Sequence, residues 1–203
     1  SPDQPVHLVG HDWGSIQTWE SVTEPGAEQR IASYTTLSGP CLDHVGQWMK
    51  ARLREQKIGT VLNQLAHSWY IGAFQLPVLA PTLWKVGLAK AWPQLLRRSE
   101  NLHSETSATQ QQDGIHGIEL YRANMRPSLL KPRERYPKVP VQLIVAREDN
   151  YVRPAMLEDL HLWTDRLWRR ELDCGHWGPL LQHPDVTARW IREFIQHIDG
   201  APA

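Results

Sequence analysis

Residues 10–14 read Gly-His-Asp-Trp-Gly and follow directly on the apolar run Val6 to Val9. A polar residue framed by glycines, between the end of a strand and the start of a helix, has the pattern of a nucleophile elbow. Glycines suit a backbone that doubles back. The helix N-terminus that follows favours negative charge on the residue at the tip. That residue here is Asp12 rather than a serine. A carboxylate is ionised at neutral pH and needs no base to attack a saturated carbon, where it would leave an ester on the enzyme. The competing reading of Asp12 is a simple helix N-cap, a position that Asp favours.

Two later residues can complete such chemistry. Asp149, in VARED, follows the apolar run Val141 to Ala146, and His176, in DCGHW, follows a shorter strand-like run near Trp168 to Leu172. Each falls at the carboxyl end of an expected strand, where α/β sheets collect their sites. The order nucleophile, acid, base is that of the α/β-hydrolase elbow motif. Glu148 is the alternative acid. Ser15 lies beyond the second glycine, so a serine nucleophile is not expected, and Cys174 reads as packing. His7 and His11 are four apart but sit on a strand and a turn, so they do not converge as zinc ligands would. No metal and no organic cofactor is expected.

The elements that must position these residues follow from periodicity and breakers. Val6 to Val9 read as a fully buried strand, Gly14 to Glu24 as a helix stopped by Pro25-Gly26, and Ile31 to Ser38 as a second strand ended by Gly39-Pro40. This β-α-β order marks a parallel sheet. From Leu42 to Arg135 the pattern is helical with polar breaks, and the polar stretch Ser99 to Gly114 reads as a loop. Strands then return at Val141 to Ala146 and near Trp168 to Leu172, with helices near Pro154 to Leu162 and from Pro184 to Ile198. The expected division is an α/β core at 1–40 and 136–203, interrupted by a mostly helical insertion at 41–135.

Composition narrows the function. Lys plus Arg and Asp plus Glu number 22 each over 203 residues, and this zero formal charge argues against a nucleic-acid partner. No apolar run is long enough to span a bilayer, and no signal peptide is visible. Two cysteines, Cys41 and Cys174, make no disulfide framework, so a reducing, cytoplasmic setting is expected. Ten tryptophans, several between Trp48 and Trp92, suit either a ligand pocket or core filling. The chain reaches a strand within its first residues and is expected to be a fragment of a longer protein.

GHDWG, SWYIGAFQLP (Ser68 to Pro77), GIHGIELYRANMRP (Gly114 to Pro127) and DCGHWG together resemble the epoxide hydrolases of the α/β-hydrolase superfamily. The resemblance covers nearly the whole chain. GHDWG is shared with haloalkane dehalogenases; the two tyrosine-bearing segments are more specific. What the resemblance implies is an α/β-hydrolase fold, here the C-terminal part of a mostly parallel sheet flanked by helices, with the insertion as a helical cap. It further implies Asp12 as nucleophile, His176 as base, Asp149 as its partner, and Tyr70 and Tyr121 as the pair that polarises the epoxide oxygen. An alternative register around Phe74-Gln75 would put Ala73 at the position of Tyr70. Cap packing is the plainer role for both tyrosines. The Trp13 backbone N–H would serve the oxyanion hole, and Trp13, Trp69, Phe74 and Trp177 would touch a hydrophobic epoxide. Water is the second substrate, and a dimer is left open. The family's earlier strands and its His-Gly-x-Pro loop, source of a second oxyanion donor, are not in this sequence. The chain alone is therefore expected to be poorly soluble and inactive. A haloalkane dehalogenase with the same triad is the nearest rival reading, and an inactive ligand-binding or scaffold fragment is the rival from another class.

Overall fold

The computed structural model describes residues 4–103 and 105–200. In chain order the elements are β1 (Val6–His11), α1 (Trp13–Val22), β2 (Ile31–Leu37), α2 (Leu42–Arg54), α3 (Ile58–His67), α4 (Trp69–Phe74), α5 (Leu79–Leu83), α6 (Ala89–Glu100), α7 (Gln110–Leu130), β3 (Val141–Ala146), β4 (Leu167–Leu172), α8 (Gly178–Leu181) and α9 (Pro184–Asp199). A 3-10 helix covers Pro154–Leu162. The chain forms two units, Ser1–Ala51 with Pro132–Ala203, and Arg52–Lys131.

The first unit carries a four-stranded sheet in the order β1-β2-β3-β4, every pair parallel. Parallel neighbours need crossovers, and α1 and the longer connections supply them. All six residues of β3 are buried, the continuous apolar run expected of a strand covered on both faces. Trp19 and Val22 of α1 close over Ile31, Tyr34, Val141, Leu143 and Val145 to make the core. β1 departs from its expected burial. Val6 and Val9 are 50% and 48% exposed, because β1 is the terminal strand of this order and pairs with β2 on one side.

An ionic cluster ties the two chain crossings of this unit together. Asp43, at the start of α2, is fully buried and accepts hydrogen bonds from the Arg133 backbone N–H at 2.8 Å and from its guanidinium at 2.7 Å. Arg135 lies 3.4 Å from the same carboxylate and also pairs with Glu20 and Glu24. Burial opposes the charge on Asp43, but the bonds and charge from Arg133 and Arg135 outweigh it and hold its pKa below the usual range. Residues 42–51 of α2 thus group with the sheet unit, and the two units divide after Ala51.

In the second unit, the helices surround a small core of Ala80, Trp84, Ala89 and Ile118, with Phe74 and Trp92 against it. The expected loop Ser99 to Gly114 is shorter than its polarity suggests, since α6 runs to Glu100 and α7 begins at Gln110; residue 104 lies outside the described residues. Thr109 bonds Asp113 at 2.8 Å, and Gly114 packs directly on the Trp84 ring, so tertiary contact makes helix from a polar stretch. No helix among the described residues is long and apolar enough to cross a membrane.

Beside Asp43, His44 is buried, stacks on Trp163 at 4.7 Å, and donates from Nε2 to the Arg135 carbonyl at 2.6 Å. Its Nδ1 is buried with no hydrogen-bond partner among the described residues. Burial lowers its pKa to about 4. Unfolded, the group titrates near 6.5. Between those values the unfolded chain takes up a proton that the folded chain refuses. The contribution of His44 to stability is therefore complete above about pH 6.5, falls as pH drops, and levels off below about pH 4. The loss is on the order of 3 kcal/mol. His44→Gln keeps a donor and removes the titration, so urea melts at pH 7 and pH 4.5 should show a smaller drop for the variant. Equal drops would show that His44 does not titrate in this way.

Candidate active site

The backbone at Asp12 explains why β1 stops where it does. Asp12 has φ 51° and ψ −126°, a conformation that L residues rarely adopt. Its N–H still bonds the Leu37 carbonyl at 3.1 Å, continuing the ladder to β2, while its carbonyl already accepts the Ile16 N–H at 2.9 Å. One residue thus ends the strand and opens the helix. Its side chain makes no capping hydrogen bond and is one-third exposed, which removes the N-cap reading of Asp12.

Beneath the elbow, polar groups converge on one carbonyl. Ser15 Oγ donates to Gly39 O at 2.6 Å, and Trp19 Nε1 donates to the same oxygen at 3.0 Å. Ser15 Oγ also lies 2.5 Å from Tyr34 Oη and 2.7 Å from Thr36 Oγ1. Tyr34 Oη donates to the Ser15 carbonyl at 2.9 Å. Burial pushes the Tyr34 phenol far above its ordinary pKa, so it remains a donor. Ser15 is therefore a buried tie between α1 and the turn after β2.

Close backbone approach makes two glycines necessary. A Cβ at Gly10 would lie 2.6 Å from Ser15 Cα, and one at Gly39 would collide with the Asp12 carbonyl and lie 2.5 Å from Ser15 Cβ. Gly14, by contrast, faces nothing within 4 Å. The second glycine that sequence reasoning placed at the close approach is thus Gly39, from a different segment.

Asp149 and His176, expected as acid and base, lie side by side. His176 is buried, and its Nδ1 lies 2.9 Å from Asp149 Oδ2. Asp149, also buried, uses Oδ1 to accept the backbone N–H groups of Tyr151 at 2.8 Å and Val152 at 2.9 Å. A carboxylate whose oxygens are so engaged keeps a His176 proton on Nδ1, so that in the neutral ring Nε2 carries the lone pair. That Nε2 lies 3.8 Å from Asp12 Oδ1, beyond hydrogen-bond range but directed at the elbow. Glu148 is exposed and takes no part. Trp13 opens α1, with its amide in the helix's first turn. Trp177 packs 5.4 Å from the His176 ring. His11, weighed in the sequence only as a zinc ligand, and Tyr151, which the sequence did not single out, also border the His176 ring, at 4.9 Å and 5.1 Å between ring centroids.

Within the second unit, the Tyr70 and Tyr121 rings lie 5.9 Å apart and nearly perpendicular. Phe74 sits 5.6 Å from the first and 5.0 Å from the second. Arg122 holds α4 and α7 in this register by donating to the carbonyls of Phe74 and Leu76, each at 2.8 Å. Tyr70 thus meets Tyr121 ring to ring. Trp69 is 71% exposed. The structure thus forms two groupings, Asp12 with His176 and Asp149 in one unit, and Tyr70 with Tyr121 and Phe74 in the other.

The alpha/beta hydrolase family matches residues 1–190. The chain is 37% identical over 216 residues to the probable oxidoreductase EphD of Mycobacterium tuberculosis and of Mycobacterium bovis, covering 98% of this chain and 35% of those proteins. It therefore spans about a third of the length of these curated relatives. Among solved structures, it superposes on an epoxide hydrolase from Bacillus megaterium with a TM-score of 0.67 at 20% identity, covering 95% of this chain and 69% of the other. The epoxide hydrolase VrEH1 from Vigna radiata gives a TM-score of 0.63 at 20% identity, with 95% and 68% covered. These last two likenesses are of fold.

The glycine geometry makes a paired prediction. Gly39→Ala should destabilise by about 2 kcal/mol, since overpacking a fixed site costs roughly 1–3 kcal/mol. Gly14→Ala should stay within about 0.5 kcal/mol of wild type, as open surface positions do. Urea unfolding of both variants checks the contrast; a Gly39→Ala protein as stable as wild type would remove the crowding.

Proposed function

From the premise that the chain belongs to the alpha/beta hydrolase family, we propose that it carries the catalytic machinery of an epoxide hydrolase. The observation that carries this reading is an elbow occupied by aspartate, with the His176–Asp149 pair aimed at it. In the first step an oxygen of the Asp12 carboxylate bonds to an epoxide carbon from behind. The carbon–oxygen bond of the ring breaks, and the ring oxygen takes a proton from Tyr70 or Tyr121. Phenols have pKa values near 10, so they hold their protons at neutral pH yet can give one to an alkoxide. In the second step His176 takes a proton from water, and the hydroxide bonds to the ester carbonyl of Asp12. Asp149 orients and stabilises the imidazolium. The Trp13 amide supports the oxyanion, the ester C–O bond breaks, and the departing oxygen takes the proton of the added hydroxyl, so that a vicinal diol leaves and the Asp12 carboxylate is restored. The proton held by His176 then returns to the phenolate through solvent. Epoxide plus water gives diol, with no net redox change.

The apolar aromatics Trp13, Phe74, Trp69 and Trp177 favour a hydrophobic epoxide. The helical unit Arg52–Lys131, which carries both tyrosines, would act as the cap. A haloalkane dehalogenase would share the triad, but the juxtaposed tyrosines supply a proton to a leaving oxygen, which a departing halide does not need. The oxidoreductase name belongs to relatives of which this chain covers 35%, and the chain itself contains no Gly-x-Gly-x-x-Gly.

In a complete protein, His176→Gln should form the ester and hydrolyse it slowly, so intact mass after incubation with an apolar epoxide should rise by one substrate, on Asp12. An unmodified mass, with wild type turning over, would remove Asp12 as nucleophile. Tyr121→Phe should slow ester formation roughly a hundredfold, the usual penalty for losing one donor to a developing oxyanion. The double variant with Tyr70→Phe should lose nearly all activity. Halide release from a haloalkane, without diol from an epoxide, would favour the dehalogenase instead.

A further inference from the structure

His11 is the last residue of β1 and immediately precedes the elbow residue. Its Nε2 lies 2.9 Å from the backbone carbonyl of His176. A carbonyl only accepts, so Nε2 carries the proton. The His11 ring also stands edge-on to the His176 ring, 4.9 Å away, and tilts against Trp177 at 4.7 Å. A second, longer donor reaches the same carbonyl, Ser38 Oγ at 3.4 Å, from the turn after β2. Ser38 keeps a positive φ of 47° there. The imidazole of His176 is thus held by Asp149 beyond β3, while its main chain is held from the ends of β1 and β2. His176 itself follows β4, which among the described residues pairs only with β3.

We infer that His11 is a positioning residue for the hydrolytic half-reaction: its Nε2–H fixes the main chain of His176 against the nucleophile strand, so that the base meets the ester carbonyl of Asp12. This rests on the reading of Asp12 as nucleophile and His176 as base. The two half-reactions differ in what they need. Attack by Asp12 uses no base, whereas ester hydrolysis depends on where His176 Nε2 stands. A misplacement of about 1 Å can cost a hundredfold in such a step. Loss of the His11 donor therefore acts on the second step and spares the first. A residue that merely filled space beside Asp12 would act on both alike.

The test compares His11→Leu, which removes the donor, with His11→Gln, which keeps an amide N–H near the place of Nε2. Ester formation and ester decay are followed separately by rapid quench and intact mass, with styrene oxide as the probe. The expected result for His11→Leu is ester formation within about threefold of wild type and decay slowed between roughly tenfold and a hundredfold, so that ester accumulates. His11→Gln should recover most of the decay rate. Decay at the wild-type rate in His11→Leu, or equal losses in both steps, would overturn the inference. A readout without substrate separates it from the reading on which it rests. The Nδ1–H proton that His176 shares with Asp149 should be visible by NMR in wild type and His11→Gln, and broadened or shifted in His11→Leu when melts show that variant folded. An unchanged resonance in the leucine variant overturns the positioning role. Absence of any ester in His176→Gln, with wild type active, overturns the nucleophile assignment and leaves the resonance to decide the role of His11.

Discussion

The backbone of Asp12 is held where an L residue does not rest of itself, and most of the first unit is arranged to keep it there. A residue in such a region stores on the order of 1–3 kcal/mol and persists only when its surroundings over-determine it. Here the surroundings are specific. The Asp12 N–H and carbonyl are both committed, Gly10 and Gly39 allow the crossing backbones to touch, and Ser15 with Trp19 fastens α1 to the Gly39 carbonyl. These ties are buried, where an unmade hydrogen bond costs most. The strain is thus met by a polar cluster inside an apolar core, and the carboxylate is left partly exposed above it.

The same economy governs His176, the proposed base. His176 lies in the turn after the outer strand β4, yet its environment is drawn from the other three strand ends. Asp149 follows β3, Ser38 follows β2 and His11 ends β1. A parallel sheet brings all its carboxyl ends to one edge, so residues far apart in sequence can address a single side chain from several directions. Burial keeps the His11 pKa below its ordinary value, so the ring next to the base favours the neutral form. A neutral neighbour does not repel the imidazolium that the second step would create.

Much of this was legible in the sequence where chemistry and periodicity agree. The run VQLIVA, the glycines around Asp12, and the carboxylate and imidazole each just past a strand located the sheet and the triad-like grouping. What escaped was set by contacts between segments. Nothing about Gly39 in Ser-Gly-Pro signals that it must lie against Asp12 rather than merely end a strand. Ser15 resembles a helix residue next to a motif, and only the meeting of Tyr34, Thr36 and Gly39 makes it a tie. The exposure of β1 depends on its place in the strand order, which an apolar run does not encode. The extent of α7 was obscured because its first residues are polar and gain their helix from packing of Gly114 on Trp84.

The Asp43–Arg133–Arg135 cluster joins the segment that leaves the sheet unit to the segment that comes back to it. Both roots of the long excursion between them are therefore anchored side by side on the sheet unit itself. Loop-closure entropy rises only slowly with length, so what hangs between such roots can be lengthened, shortened or replaced at little thermodynamic penalty to the base. In evolutionary terms the ionic clasp is a graft union: a lineage could exchange the whole helical scion while the rootstock bearing Asp12 and His176 went on folding as before.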